Sequence, residues 1–335
     1  MSPDILIVRF SAIGDILLMT PLLRALRQRH PEARITVVTK AEFASLLTRN
    51  PRVTEVIGWD AGTSLRELGA RLRTQRFTHR LDLHGSLRSR ALRWHAGGRW
   101  SGYPKDRVAR SVLIRTKRDV YRDRRPVAER YFDAARDLDV RPDGGSLELV
   151  PSPGDHAAAG RFLAAHGLGT ARPPIALAPG AAHFTKRWPP HHWKTLARAL
   201  VQEGNDVVLV GGPDDRGVAE AVAADNGGRA VSAAGKLDLP GTAALLQRTR
   251  ALVSGDTGVM HLATAVATPV VALFGPTVEA FGFSPYHANA LVLQRDLPCR
   301  PCSSHGTPEC PLRHHRCLED LEPALVLEAL GRLLR

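Results

Sequence analysis

Three short stretches of this 335-residue chain place reactive side chains where an apolar, strand-like run gives way to a helical pattern. The first is Ser11-Ala12-Ile13-Gly14-Asp15, after the run at residues 5–8 and before Ile16, Leu17, Leu22, Leu23 and Leu26. A carboxylate at that point has two uses. It can cap a helix, or it can act as a general base toward an attacking hydroxyl, which needs one carboxylate within hydrogen-bond reach. Gly14 lets a ligand or another backbone approach closely.

The second stretch is Gly255-Asp256-Thr257-Gly258, between the run at 251–254 and the helically spaced Met260, Leu262, Ala263 and Val266. Unpaired backbone donors and the helix dipole favour a phosphate there. Asp256 cannot hold an anion, so it is assigned to sugar hydroxyls. The competing reading is an ordinary βαβ turn, with Asp256 as an N-cap and His261 in the core. The third stretch, Thr185-Lys186-Arg187-Trp188, follows the run at 175–178 and puts an ammonium and a hydroxyl at a strand's carboxyl end. Lys186 suits a diphosphate that gains charge as it leaves; an ordinary exposed lysine is the alternative. Gly211 and Gly212 permit close approach of a nucleotide, and Asp215 is a candidate acceptor for ribose hydroxyls.

The elements that must position these residues alternate. Strands are expected at 5–8, 35–39, 53–59 and 78–83, and again at 175–178, 206–210, near Val231, at 251–254 and at 270–274, with helical segments between them. Pro21 falls in the second turn of the first helix and predicts a kink or a late start. The Pro- and Gly-rich stretch RPDGGSLELVPSPG at 141–154 marks a boundary. The expected organisation is therefore two α/β domains, 1–150 and 151–320, with a final amphipathic helix in 321–335 packing back on the first. Neither half carries G-x-G-x-x-G after its first strand or a G-x-x-x-x-G-K-[ST] loop, which disfavours a dinucleotide oxidoreductase and a P-loop NTPase.

A hydrophobic content of 44% with 24% charged residues predicts a globular protein throughout. No basic segment precedes an apolar run at the start, and no apolar stretch is long enough for a membrane span, so a cytosolic setting is expected. The net charge of +13 is concentrated: residues 88–125 hold thirteen Lys and Arg against three Asp. That patch calls for an anionic partner, whether nucleic acid, membrane surface or phosphorylated substrate, or is a solvated basic face. Cys299, Cys302, Cys310 and Cys317 lie close together with His305, His314 and His315 interspersed. They are ligand types suited to a structural metal, or free thiols bracing a Pro-rich loop.

With these segments in place the chain resembles glycosyltransferase family 9, the ADP-heptose:lipopolysaccharide heptosyltransferases. The resemblance is carried by ILIVRFSAIGDILLMTPLLRALR, DLHGSLRSR, PGAAHFTKRWP, VVLVGGPDD, SGDTGVMHLATAVATPVVALFGPT and the Cys-rich tail. It implies a GT-B architecture, two Rossmann-like domains facing across a cleft, and metal-independent transfer that inverts the anomeric centre, with no cofactor required beyond the ADP-heptose donor. The family's general base matches Asp15, its phosphate-binding Thr and Lys match Thr185 and Lys186, and its donor-binding D-T-G-x-x-H matches Asp256, Thr257, Gly258 and His261. The resemblance gives the basic patch a purpose: Arg88, Arg90 and their neighbours orient an anionic, lipid-linked saccharide acceptor at the inner face of the cytoplasmic membrane. Rival readings are a family member with another nucleotide sugar or acceptor, and a non-catalytic nucleotide or nucleic-acid binder. The basic segment lacks the aromatic interleaving of single-strand binders, so no nucleic-acid partner is expected.

Overall fold

Strand β1 (Asp4–Val8) ends in four consecutive buried residues, Ile-Leu-Ile-Val, the composition of a central strand covered on both faces. In the computed structural model, which describes residues 2–224 and 226–335, β1 is followed by α1 (Ile13–Leu17) and α2 (Thr20–Arg29). The expected single helix is two because Pro21 sits in the first turn of α2, where its missing N–H costs nothing. The chain continues through β2 (Arg34–Lys40), β3 (Glu55–Trp59), α3 (Leu65–Arg73), β4 (His79–Asp82), α4 (Leu87–Ala96) and the short β5 (Ser101–Gly102). Ser64 and Glu67 close a capping box at the start of α3, and Ser86 and Ser89 do so at α4. The strands form a parallel sheet in the order β3-β2-β1-β4-β5.

Residues up to Lys105 and Arg125–Val150 make one compact unit; Asp106–Arg124 and Pro151–Arg335 make the other. The chain thus leaves the first unit for α5 (Arg107–Thr116), whose Leu113 packs with Tyr121 and Phe281. It returns at α6 (Val127–Arg130) and the 3-10 turn Tyr131–Leu138, where Arg130 and Tyr131 are buried. The basic segment at 88–125 is accordingly divided between the two units.

The second unit opens with α7 (Pro153–Ala165), then β6 (Ile175–Ala178), α8 (Pro190–Gln202), β7 (Val207–Leu209), α9 (Arg216–Ala223), β8 (Ala230–Ser232) and α10 (Leu239–Leu246). It continues with β9 (Ala251–Gly255), α11 (Gly258–Ala265), β10 (Val270–Phe274), β11 (Ala290–Gln294), α12 (Arg316–Glu319) and α13 (Pro323–Leu333). Its parallel sheet runs β11-β10-β9-β6-β7-β8. The closing helix α13, expected on the first domain, packs on α8, β10 and β11 of its own unit. Its stripe Val326, Ala329 and Leu330 joins the core that holds Trp188 and Trp193. Among the described residues no helix is long and apolar enough to cross a membrane.

Both sheets reverse their winding beside their first strand, between β1 and β4 in one and between β6 and β9 in the other. The carboxyl ends of the paired strands coincide, Val8 opposite Asp82 and Ala178 opposite Ser254. In open α/β sheets such switch points are where ligands bind.

Candidate active site

In the first unit the loop after β1 brings Arg9 and Asp15 together at the switch point. Asp15 is the third residue of α1, and its Oδ2 lies 3.5 Å from the Ala12 N–H, a long capping contact. Its Oδ1 is held more firmly, 2.5 Å from Arg9 Nη2 and 3.3 Å from the donating Tyr131 hydroxyl. Arg9 is buried, and its Nη1 also donates to the Leu83 carbonyl at 2.6 Å. Burial works against its charge, but Asp15, Tyr131 and Tyr103 together hold its pKa above the usual arginine value. The ion pair and the phenol hold the Asp15 carboxylate in place at the start of α1. Burial raises the Tyr131 pKa well above its ordinary value, so the phenol stays a neutral donor.

The other side of the switch point comes from the loop after β4. Buried Asp82 accepts from the N–H groups of His84 and Gly85 and from the Ser89 hydroxyl, which fixes the His84-Gly85-Ser86 turn. The His84 ring lies edge-on to Phe10, 5.0 Å between centroids. Burial, with Arg9 and Lys105 nearby, lowers its pKa to about 4, so the imidazole is neutral at pH 7.

Arg88 and Arg90, paired as acceptor candidates in the sequence, line different cavities. Arg88 borders a 650 Å³ cavity with Lys40, Glu42, Trp59, Asp60 and Leu65. Arg90, on the outer side of α4, lines a separate groove with Arg93 and Trp94.

In the second unit, the loops after β6 and β9 meet. Lys186 Nζ is 2.7 Å from Asp256 Oδ2 and donates to the Asp256 carbonyl at 2.8 Å. The same Oδ2 accepts from the Thr277 hydroxyl at 2.7 Å, and Asp256 is buried. Two donors on one oxygen make this carboxylate the holder of Lys186. Gly255 suits the close approach of the two loops, since a Cβ there would lie 3.1 Å from the Lys186 carbonyl. Thr257 occupies the N-cap of α11 with no side-chain cap bond; its hydroxyl lies 3.1 Å from that of Ser254. Gly258 begins the helix and His261 is buried within it.

The remaining donor candidates have structural partners of their own. Thr185 is buried; its hydroxyl accepts from the Thr307 N–H at 2.7 Å and lies 3.1 Å from the Thr307 carbonyl. With the 3.2 Å contact between His315 Nε2 and the Thr185 carbonyl, this ties the Lys186 loop to the Cys-rich segment. Asp215 accepts from the Gly212 N–H at 2.9 Å and fills the space a Cβ at Gly180 or Gly211 would take. The glycines thus admit a carboxylate of the protein itself.

The four cysteines form no disulfide. Burial raises the Cys302 thiol and pushes Cys317 up to about 12, whereas at Cys310 the backbone N–H groups of residues 312–315 outweigh burial and lower the pKa. The four thiols lie in one another's field, Cys302, Cys299 and Cys310 adding to burial in raising Cys317; among the described residues the group whose ligand atoms all lie within 4.8 Å of one another is His191, His192 and Glu319, largely exposed.

Sequence reasoning missed Arg9, Tyr131, Thr277 and Thr307. Arg9 left one signal, a charge directly after an otherwise apolar strand. The other three are brought to their partners only by the fold.

The family model for glycosyltransferase family 9 (heptosyltransferase) matches residues 65–312. The chain is similar to lipopolysaccharide heptosyltransferase 2 of Salmonella typhimurium, 31% identical with 98% of each chain covered. It superposes on a glycosyl transferase family 9 structure from Veillonella parvula with a TM-score of 0.82 at 25% identity, covering 99% of this chain and 97% of that one. On the ADP-heptose LPS heptosyltransferase II of E. coli the TM-score is 0.75 at 29% identity, with 99% and 98% covered. Two parallel-sheet α/β units and these likenesses establish the GT-B fold class.

Proposed function

The chain belongs to glycosyltransferase family 9, and from that membership and its two switch points we propose that it moves a heptose from ADP-heptose to the inner core of lipopolysaccharide with inversion. The observation that carries the reading is the opposite character of the two sites. One offers a carboxylate held by Arg9, the other an ammonium held by Asp256 beside a helix N-terminus.

In the proposed reaction the acceptor hydroxyl gives its proton to Asp15 as its oxygen bonds to the anomeric carbon. The bond from that carbon to ADP breaks on the opposite face, and ADP departs with the electron pair. Lys186 and the Thr257–Gly258 backbone meet the charge growing on the diphosphate. No step needs a bound metal. Neutral His84 and Tyr131 shape the surroundings of the base, and Arg88 offers a cation to the acidic groups of the acceptor. The acceptor is lipid-linked and the enzyme meets it at the inner face of the cytoplasmic membrane.

The test is to incubate the purified protein with ADP-heptose, other nucleotide sugars and truncated lipopolysaccharide acceptors, and to weigh the products. A heptose increment from ADP-heptose alone is expected. Transfer of a different sugar, or to a non-lipopolysaccharide acceptor only, would replace the reading.

A further inference from the structure

Helix α4 has an outward face that the proposed transfer site does not use. It buries Ser89, Leu92 and Ala96 and turns Leu87, Arg90 and Trp94 outward, at the i, i+3 and i+7 spacing of one helical face. Leu87 is 81% exposed and Trp94 78%. They are among the most exposed large apolar side chains of the described residues, and both lie on this one helix face. Trp94 stands between two grooves. One, of 450 Å³, is lined by Arg90, Arg93, Trp94, Gly97, Gly98 and Trp100; the other, of 520 Å³, by Arg66, Arg73, Trp94 and His95.

The charge around this ridge is one-sided. Helices α3 and α4 hold six arginines and a single acid, Glu67, whose carboxylate is engaged at the Ser64 cap. Among the described residues Arg66, Arg73, Arg88, Arg90 and Arg99 form no ion pair; Arg93 reaches Asp82 only at 3.5 Å. A partner must therefore supply several anions and an apolar boundary at once. An acidic polypeptide satisfies the guanidinium groups but leaves an indole and a leucine without an apolar layer, and a single strand that stacked a base on Trp94 would still leave Leu87 bare. An anionic bilayer supplies both, because indoles settle at the headgroup level and arginines attract the negative surface.

We propose that the outer face of α3 and α4 docks the protein on an anionic phospholipid membrane, with Trp94 at the headgroup boundary and the flanking grooves taking lipid phosphates. This gives the proposed membrane setting a specific face, and rests on that reading only for the lipid-linked nature of the acceptor.

The full-length protein is sedimented with phosphatidylcholine vesicles with and without phosphatidylglycerol. Binding should require phosphatidylglycerol and fall with added salt. Trp94→Ser and the double variant Arg66→Glu/Arg73→Glu should each reduce partition by about tenfold or more, and brominated lipid should quench tryptophan emission less in Trp94→Phe than in the parent. Transfer to a de-acylated, water-soluble acceptor should be unchanged in all three, which separates docking from catalysis; absence of heptosyl transfer by the parent would remove the proposed function and leave the docking result standing. Vesicle binding that survives both variants, equal binding to phosphatidylcholine alone, loss of soluble-acceptor transfer alongside docking, or binding of a single-stranded oligonucleotide instead of vesicles would overturn the proposal.

Discussion

The two switch points occupy equivalent places in two sheets of the same winding, yet they present opposite charges. In the first unit a buried arginine holds a carboxylate at 2.5 Å; in the second a buried aspartate holds a lysine at 2.7 Å. In the proposed reaction the second residue of each pair meets a different demand, a proton to be taken in one case and a phosphate to be steadied in the other. The supports differ too. Arg9 and Asp15 lie six positions apart, one directly after β1 and the other in the first turn of α1, whereas Lys186 depends on Asp256 and Thr277, and its loop on Thr307 and His315. A doubly wound sheet thus fixes where a site stands, and the loops decide its sign.

The comparison can be broken at either pair. Arg9→Met removes one partner of a largely buried ion pair and should destabilise the first unit most, by about 3 kcal/mol, read by denaturant melts; an unchanged midpoint would mean that Asp15 is oriented by its helix alone. Asp256→Asn should release Lys186 and reduce kcat/KM for the donor by about 10²-fold with a smaller loss of stability, so a purely structural effect there would break the symmetry. Thr185→Val leaves the Thr307 N–H without its partner at a cost of about 1–3 kcal/mol. It should weaken donor binding by roughly tenfold through the Lys186 loop, as titration calorimetry would measure.

Acid sharpens the contrast further. The His84 pKa in the folded chain, about 4, lies below that of an unfolded histidine, so the neutral ring contributes stability that is whole above the unfolded value and is lost as the pH falls toward 4. His84→Asn should flatten the melting temperature over that window, and a profile identical to the parent would show the ring to be indifferent. The smallest effect is chemical: at pH 7.5 an alkylating reagent should label Cys310 first and Cys317 last, with peptide mass mapping as the readout.

Much of the fold is legible in the chain. Buried runs such as β6 and β10 need no tertiary context to be recognised, because both faces of a parallel strand are apolar. The two-residue β5 carries no such run, whereas β11 carries one, Ala290 to Leu293, that lies half-buried at the edge of its sheet beyond the strands the sequence marks. The partner of α13 is not legible in its own sequence, because an amphipathic stripe states that a helix packs, not on what; in the second unit it joins the core of Trp188 and Trp193. The site divides in the same way. Asp15, Lys186 and Asp256 announce themselves by residue type at strand ends. The commitment of Thr185 to Thr307 and of Asp215 to its own glycine loop follows from contacts across long stretches of chain, or from space that only a backbone trace reveals.

The division of labour between the two switch points is tested most directly by measuring turnover and ADP affinity together for Asp15→Ala and Lys186→Ala. The account predicts that Asp15→Ala loses turnover by about 10³-fold or more while binding ADP as the parent does, and that Lys186→Ala loses ADP affinity as well as rate. Turnover retained by Asp15→Ala, with or without weakened ADP binding, would contradict it.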